Sequence, residues 1–459
     1  MLTFAYDDLS HNEDWTRVTA RPNCQVWDGP GSAYDRRYGC GILLPLSVLD
    51  VHRFRCERTD LLVQRGGPFV YPLELRSTVR ESLLRNPDLA PGFPKSVAER
   101  ASAGHAVILI WIGHEPVPFH LDLLGRMWVF DLVQNFIRQY DLPPQQVWLV
   151  SGNMLAGPSH ESWRRSRGLP EQHTFRFCTL VMAPSSVRIH YEANQRGETL
   201  SLVEENDVWT ATLEPLSAAE FAERYLQPAE IAEERRTGRL RPKRFLAMNR
   251  QPRAHRQILV SYLSGKGLLE DSLVSFGGAP AASADLREFR ELGTFLQESW
   301  RALQPRLPLI IDDAAVNVGI NFYRVPFGWP YRESYINIVT ETEVARDVAP
   351  ICTEKLIKPM LNLQPFIAIT TANTLDTLRN LGFKTFAPGI SEDYDAIDDP
   401  EERLLRLLAE IDRLGALTQS AVRDLYFDCL AELEHNRAHL LEASHPVERL
   451  WSEIEGQLG

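Results

Sequence analysis

Short apolar runs rich in branched aliphatic residues alternate with longer stretches in which apolar positions recur every three or four residues. The clearest runs cover 107–111, 147–150, 175–182, 244–248, 307–311, 335–339 and 366–370. Continuous rather than alternating apolar strands, set between helices, predict parallel sheets covered on both faces, an α/β class. Beyond residue 401 the pattern is helical throughout. Leu404, Leu407, Leu408, Ile411 and Leu414 share one face, and Pro446 opens a last helix carrying Trp451 and Ile454. Faces this apolar cover something: the sheets in the simplest reading, a partner in the other.

The segment 228–243 breaks the pattern. It is densely charged with few large apolar residues, which suits a linker or an exposed helix. The organisation expected is therefore an N-terminal α/β domain over 1–227, a linker over 228–243, a second α/β domain over 244–400, and helices over 401–459 that pack on the domains.

Composition narrows the possible partners. The 459 residues hold 61 acidic against 49 basic side chains, a net charge of −12. That charge disfavours broad contact with nucleic acid or anionic lipid and leaves room for a local basic pocket. No apolar run nears the ~20 residues needed to span a bilayer. The first residues, with Asp7 and Asp8, do not read as a secretory signal. Six cysteines without a CxxC pair fit reduced thiols in a cytoplasmic protein and argue against a zinc module.

Three blocks in the second half carry candidate chemistry. In the first, an apolar strand ends at Asn249 and runs into a loop with Arg250, Arg253, His255 and Arg256 before a helix. Loops at the carboxyl ends of parallel strands are where open α/β sheets bind ligands. Helix N-termini and guanidinium groups both suit anions. A solvated basic loop is the plain alternative. In the second block a strand leads to Glu341, and Thr353 stands as an N-cap before Glu354. Lys355 and Lys358 follow in the first turns, where cations are disfavoured unless an anion lies beside them. Pro359 should kink or end that helix. The third block is the strand ending at Thr370, with its polar turn to Asn373 and a helix stopped by Gly382.

These blocks, from strand-Asn249-x6-Arg256 through 338–342 to Thr353-Glu354-Lys355, resemble the donor-binding half of the α1,3/4-fucosyltransferases over roughly residues 244–386. The resemblance implies a GT-B-like fold, two Rossmann-like α/β domains facing a cleft, and an inverting, metal-independent transfer with no cofactor. The donor it implies is a nucleotide-diphosphate sugar, GDP-linked in that family. It places Arg256 and Lys355 on the diphosphate, Glu354 on ribose, and Glu341 on the donor sugar. Asn249, Arg253, Thr353 and Lys358 belong to the same donor-side set. Where the family continues Glu-Asn-Ser/Thr, this chain has Thr342 and Glu343 after Glu341.

Inverting transfer also needs a base for the acceptor hydroxyl. Glu115, after Gly113 at the end of the 106–112 strand, is the first choice and its resemblance to the family's base region supports it; His114 is the second. A second strand-end loop, 151–154, is a candidate for the cleft by position. Asp393-Tyr394-Asp395 has the spacing of a metal-binding DxD pair but suits a helix entrance equally, and Asp312-Asp313 is a weaker case. Common dinucleotide, P-loop, esterase and metalloprotease motifs are absent. The sequence thus reads as a glycosyltransferase acting on a glycan, lipid-linked sugar or small-molecule acceptor. A sugar-nucleotide hydrolase or epimerase, and a catalytically silent binding scaffold, are the alternatives.

Overall fold

The computed structural model describes residues 2–6, 54–74, 89–90, 93–112, 120–121, 127–153, 156–180, 182–205, 208–249, 252–277, 289–311, 325–346, 349–350, 352–442 and 446–459. The chain divides into two compact units. The first comprises 1–190, 200–214 and 444–459, and the second 191–199 and 215–443.

In the first unit, β1 (Leu2–Tyr6), β2 (Phe54–Arg58), β3 (Phe69–Glu74), β4 (Ala106–Ile112), β5 (Val147–Ser151) and β6 (Arg176–Thr179) form one sheet in the order β2-β1-β3-β4-β5-β6. Every pairing in it is parallel. Ala106, Ile108 and Ile110 point into a cluster with Val129, Phe130, Val133 and Phe136, whereas Val107 and Leu109 are equally buried on the other face. A strand covered on both sides cannot alternate apolar with polar residues, which is why β4 is an unbroken apolar run. Helices α1 (Lys95–Ser102), α2 (Val129–Gln139) and α3 (Ala156–Ser166) accompany these strands.

In the second unit α4 (Pro228–Thr237) precedes β7 (Lys243–Asn249), α5 (Ala254–Gly265), β8 (Ser272–Phe276), β9 (Ser334–Thr340), α6 (Glu354–Leu361), β10 (Phe366–Ile369) and α7 (Thr374–Asn380). The sheet runs β8-β7-β9-β10, again all parallel. Helices α8 (Pro400–Gly415), α9 (Gln419–Asp428) and α10 (Leu430–Glu442) complete it. The expected helical face is buried at Leu404, Leu407, Leu408, Ile411 and Leu414. The last helix, α11 (Pro446–Leu458), belongs to the first unit. It packs on β4 and sets the Trp451 ring edge-on to Phe4, with centroids 5.7 Å apart. The α/β class with two parallel sheets and C-terminal helices is therefore the architecture observed.

Three local readings change. Residues 307–311 form no strand. Leu309 alone makes an antiparallel bridge, to Phe276 on edge strand β8, and Ile310 is 72% exposed. Pro308 cannot donate to a ladder, so the apolar run closes a sheet edge instead of extending it. The 175–182 run is strand only over Arg176–Thr179, and a helix (Met182–Gln195) begins at its end. Strands β1 to β3 were hidden by their composition: β2 carries Arg55, Glu57 and Arg58, and β3 contains Pro72.

The charged stretch 228–243 lies within the second unit. Pro228 sits in the first turn of α4, Ile231 is buried, and Gly238 ends the helix at φ +71°. Its charges are not all solvated. Arg241 is fully buried and makes an ion pair with Glu234 at 2.9 Å. The same guanidinium donates to the carbonyls of Tyr331 and Ser334 and lies over the rings of Tyr335 and Tyr426.

Candidate functional site

The carboxyl ends of β7, β9 and β10 lie side by side, and α5, α6 and α7 begin there. Five of the expected residues, Glu341, Thr353, Glu354, Lys355 and Lys358, sit on the β9–α6 connection and its helix. Thr353 is the N-cap of α6: its side chain accepts from the Lys355 N–H, leaving its hydroxyl proton free to donate elsewhere. It donates to Glu341. The Thr353 N–H and Oγ1 reach the two oxygens of that carboxylate at 2.9 and 2.7 Å, and the Thr342 N–H adds a bond at 3.3 Å. Glu341 is completely buried. Burial pushes its carboxyl above the usual range, against the pull of Lys355. Glu341 is thus engaged within the protein as a brace between the end of β9 and the start of α6.

Lys355 extends from that brace. Its Nζ lies 3.1 Å from Thr353 Oγ1, 3.5 Å from Thr342 Oγ1, 3.2 Å from Glu354 Oε1 and 3.7 Å from Glu341 Oε2. Burial works against its charge, but Glu354 and Glu341 outweigh burial and raise its pKa. Burial likewise favours a protonated Glu354, yet Lys355 and Lys358 hold it below the usual carboxylate range. Glu354 and Lys355 are therefore both charged at neutral pH, and they keep partial exposure of 15% and 28%. Pro359 falls inside α6, which ends two residues later at Leu361.

The first block supplies the other side. Arg253 is the N-cap residue of α5, and its own side chain makes no capping hydrogen bond. Its guanidinium, 39% exposed, donates to the Thr342 carbonyl at 2.8 Å and pairs with Glu343 at 3.0 Å. Arg256, one turn into α5, is buried and donates to the carbonyls of Thr340 and Glu341 at 3.2 and 3.4 Å. Burial, reinforced by Arg253, lowers its pKa to about 10, so it remains a cation. Asn249 is completely buried at the end of β7. Its Oδ1 accepts a short hydrogen bond from the Thr340 hydroxyl, while its Nδ2 has no hydrogen-bond partner among the described residues. A buried amide N–H left unpaired costs about 1–3 kcal/mol, so a donor without an acceptor here needs a reason.

The arrangement joins the N-terminus of α5, four cationic side chains and an orphaned amide donor at the carboxyl end of the sheet. Such a combination favours a compact anion, because fixed N–H dipoles and cations act together. The α7 N-terminus is closed by contrast. Asp395 accepts from the N–H groups of Leu375 and Asp376 at 2.9 and 3.0 Å, and the Tyr394 hydroxyl accepts from the Ala368 N–H. The second aspartate of the DxD run is thus a helix cap. No group of three His, Cys, Asp or Glu is arranged to hold a metal ion among the described residues. Glu115, His114 and the Asp312-Asp313 pair lie outside the described residues. In the 151–154 loop, the Asn153 N–H bonds the Ser151 hydroxyl at 3.1 Å.

Sequence reasoning missed His255 as part of the brace. Its Nε2 lies 3.0 Å from the Glu341 carbonyl. Burial, then the Arg256 charge, lowers its pKa from 6.5 to about 3. A neutral ring must therefore donate from Nε2–H. The unfolded chain takes up this proton first as pH falls. The stabilisation is complete above pH 6.5 and is lost progressively toward pH 3, at about 1.4 kcal/mol per pH unit. His255→Asn, which cannot titrate, is expected to flatten the acid limb by about that slope in urea unfolding measured from pH 7.5 to 4.5. Thr353→Ala removes both the cap and a donor to buried Glu341. It is expected to cost about 1–2 kcal/mol, read as a lower urea midpoint at unchanged m-value.

No helix among the described residues is long and apolar enough to cross a membrane. A scan of protein-family models gives no match, and a search of curated proteins gives none either. Solved structures do match at low identity. An α,α-trehalose 6-phosphate synthase from Burkholderia multivorans is 11% identical, with 98% of this chain and 80% of that one covered and a TM-score of 0.36. A glycosyltransferase from Rickettsia africae is 11% identical, covering 85% and 99%, with a TM-score of 0.31. WaaG, a glycosyltransferase involved in lipopolysaccharide biosynthesis, is 12% identical, covering 78% and 94%, also with a TM-score of 0.31.

Proposed function

We propose that the chain is a glycosyltransferase whose second unit holds a nucleoside-diphosphate sugar at the ends of β7 and β9. The observation that carries this reading is the placement of Arg253, Lys355 and Lys358 at the starts of α5 and α6, with the Asn249 amide unpaired among the described residues at the end of β7. The exposed cations contact the diphosphate. Arg256, buried and bonded to carbonyls, contributes position and field. Glu354, held ionised by its lysines and partly exposed, accepts from the ribose hydroxyls. Glu341 orients α6 and Lys355, and does not itself touch the sugar.

Transfer moves the anomeric carbon from the diphosphate oxygen to the acceptor oxygen. Negative charge grows on the leaving diphosphate, and preorganised cations stabilise it without moving. In the inverting form of the proposal, Glu115 takes the acceptor hydroxyl proton as that oxygen attacks, with His114 the second choice. A fucosyltransferase-like preference for a GDP-linked donor, and independence from metal, are the finer parts of the proposal. They rest on the resemblance of the motif blocks.

Thermal unfolding against GDP, UDP, CMP and ADP, with and without EDTA, tests the reading, because a ligand bound only to the folded state stabilises it by mass action. A shift selective for one nucleoside diphosphate and indifferent to EDTA supports the proposal. No shift with any of them in folded protein overturns it and favours a scaffold. Glu115→Ala is expected to lower transfer at least about a hundredfold while leaving donor binding intact, since general-base catalysis contributes that much. Hydrolysis of the donor without transfer would point to a sugar-nucleotide hydrolase.

A further inference from the structure

We propose that Arg403, on α8 and outside the strand-end cluster, is a positioning residue for the diphosphate-binding cations; the inference rests on the nucleotide reading above. Arg403 is 3% exposed. Its Nε donates to the Thr370 carbonyl at 2.9 Å, Nη1 to those of Ile397 and Asp398 at 2.6 and 3.2 Å, and Nη2 to that of Val344 at 2.6 Å. No carboxylate bonds it among the described residues; Asp395, Asp398 and Asp399 act only through their field. Burying a guanidinium without a bonded counter-ion is costly, and the neighbouring Leu404 and Leu407 show that an apolar side chain would suit this helix face.

What the guanidinium gains is a rigid fork joining three backbone stretches: the one after β9, the one after β10, and the one before α8. The first is decisive. Val344 follows Thr342 and Glu343, and those two residues hold Arg253 through a carbonyl and a carboxylate. The Thr342 hydroxyl also lies beside the Lys355 ammonium. Fixing the Val344 carbonyl therefore fixes the short stretch from which both cations are aimed. A lysine would keep the charge, but its three donors sit on one nitrogen and lack the planar fork that reaches four carbonyls from three nitrogens.

A cavity of about 20 Å³, lined by Arg403, Thr370, Val344 and His255 among others, adjoins the guanidinium. Arg403→Ala enlarges that void and can unfold the unit by itself, so Arg403→Lys is the principal variant. Calorimetric titration of the full chain with GDP, GMP and inorganic pyrophosphate, which carries no base, tests the proposal in a cycle with Arg253→Ala. Arg403→Lys is expected to weaken GDP and pyrophosphate by about tenfold, the worth of a charge-assisted hydrogen bond, with a smaller loss for GMP. In the double variant the losses should not multiply, because Arg403 acts through Arg253 and its neighbours. Losses that multiply, or an equal loss for GMP and GDP, overturn the proposal and leave Arg403 a purely structural residue. If Arg253→Ala binds GDP and pyrophosphate as the parent does, the diphosphate reading falls and this inference falls with it.

Discussion

Lys355→Ala is expected to abolish about half or more of the stabilisation that a nucleoside diphosphate confers. A ligand present at a hundred times its dissociation constant stabilises the folded state by about 2.7 kcal/mol. Losing the one ammonium set between α6 and β9 removes a charge-assisted contact worth about 1.5–3 kcal/mol, hence about a ten- to hundredfold loss of affinity. At fixed nucleotide the gain in stability then falls to about 0.4–1.4 kcal/mol. The substitution also changes the unliganded protein, because Glu341 and Glu354 lose the cation between them. The measurement is therefore the nucleotide-induced shift within each variant, which cancels that change. Glu354→Gln separates the two carboxylates: it keeps Lys355 and should weaken binding only for ligands that carry ribose, leaving pyrophosphate unaffected. A Lys355→Ala protein that responds to nucleotide like its parent would sink the assignment of Lys355 to the diphosphate.

The largest stability effect is expected at Arg241. The ion pair with Glu234 is buried at 0% and 6% exposure, and Arg241→Ala leaves a buried carboxylate with no counter-charge. Breaking such a pair from one side costs about 3–5 kcal/mol. The loss includes the bonds to the Tyr331 and Ser334 carbonyls, which hold the entry to β9. Replacing both partners, as in Arg241→Met with Glu234→Leu, removes the stranded charge and should recover much of the loss. The Arg236–Glu233 pair on the same helix is 72% and 56% exposed. Arg236→Ala should leave the unfolding midpoint close to the parent's. Guanidinium unfolding of the four proteins checks the order; an Arg241→Ala protein as close to the parent as Arg236→Ala would refute the argument.

That contrast shows what the sequence could and could not reveal. The strands β4, β5, β7, β9 and β10 were legible because each is buried on both faces, and burial writes itself as an unbroken apolar run. The Thr353 cap and the Pro446 helix start were legible because caps are local in sequence. The charged segment 228–243 was read as a linker or an exposed helix, and α4 is a largely exposed helix, but charge density says nothing about partners. Arg241 finds Glu234 nearby, but also carbonyls about ninety residues on. Glu341 was placed on the donor sugar by the resemblance of its block to the fucosyltransferases. Its bonds to Thr353, twelve residues later, exist only once α6 has docked. Arg403 gave no signal at all, since the loops it joins are assembled by the sheet and not by the sequence around it.

The return of α11 to the first unit has a consequence for the order in which the protein can be made. Helices α8 to α10 finish the second unit, and only then does the chain deliver Trp451 to Phe4. A ribosome emitting this chain releases β1 first and its aromatic cover last. The second unit, by contrast, has its whole sheet and all three of its late helices before α11 emerges. The unit whose strands come earlier in the chain is therefore completed after the other, when α11 reaches β4 and brings Trp451 to Phe4.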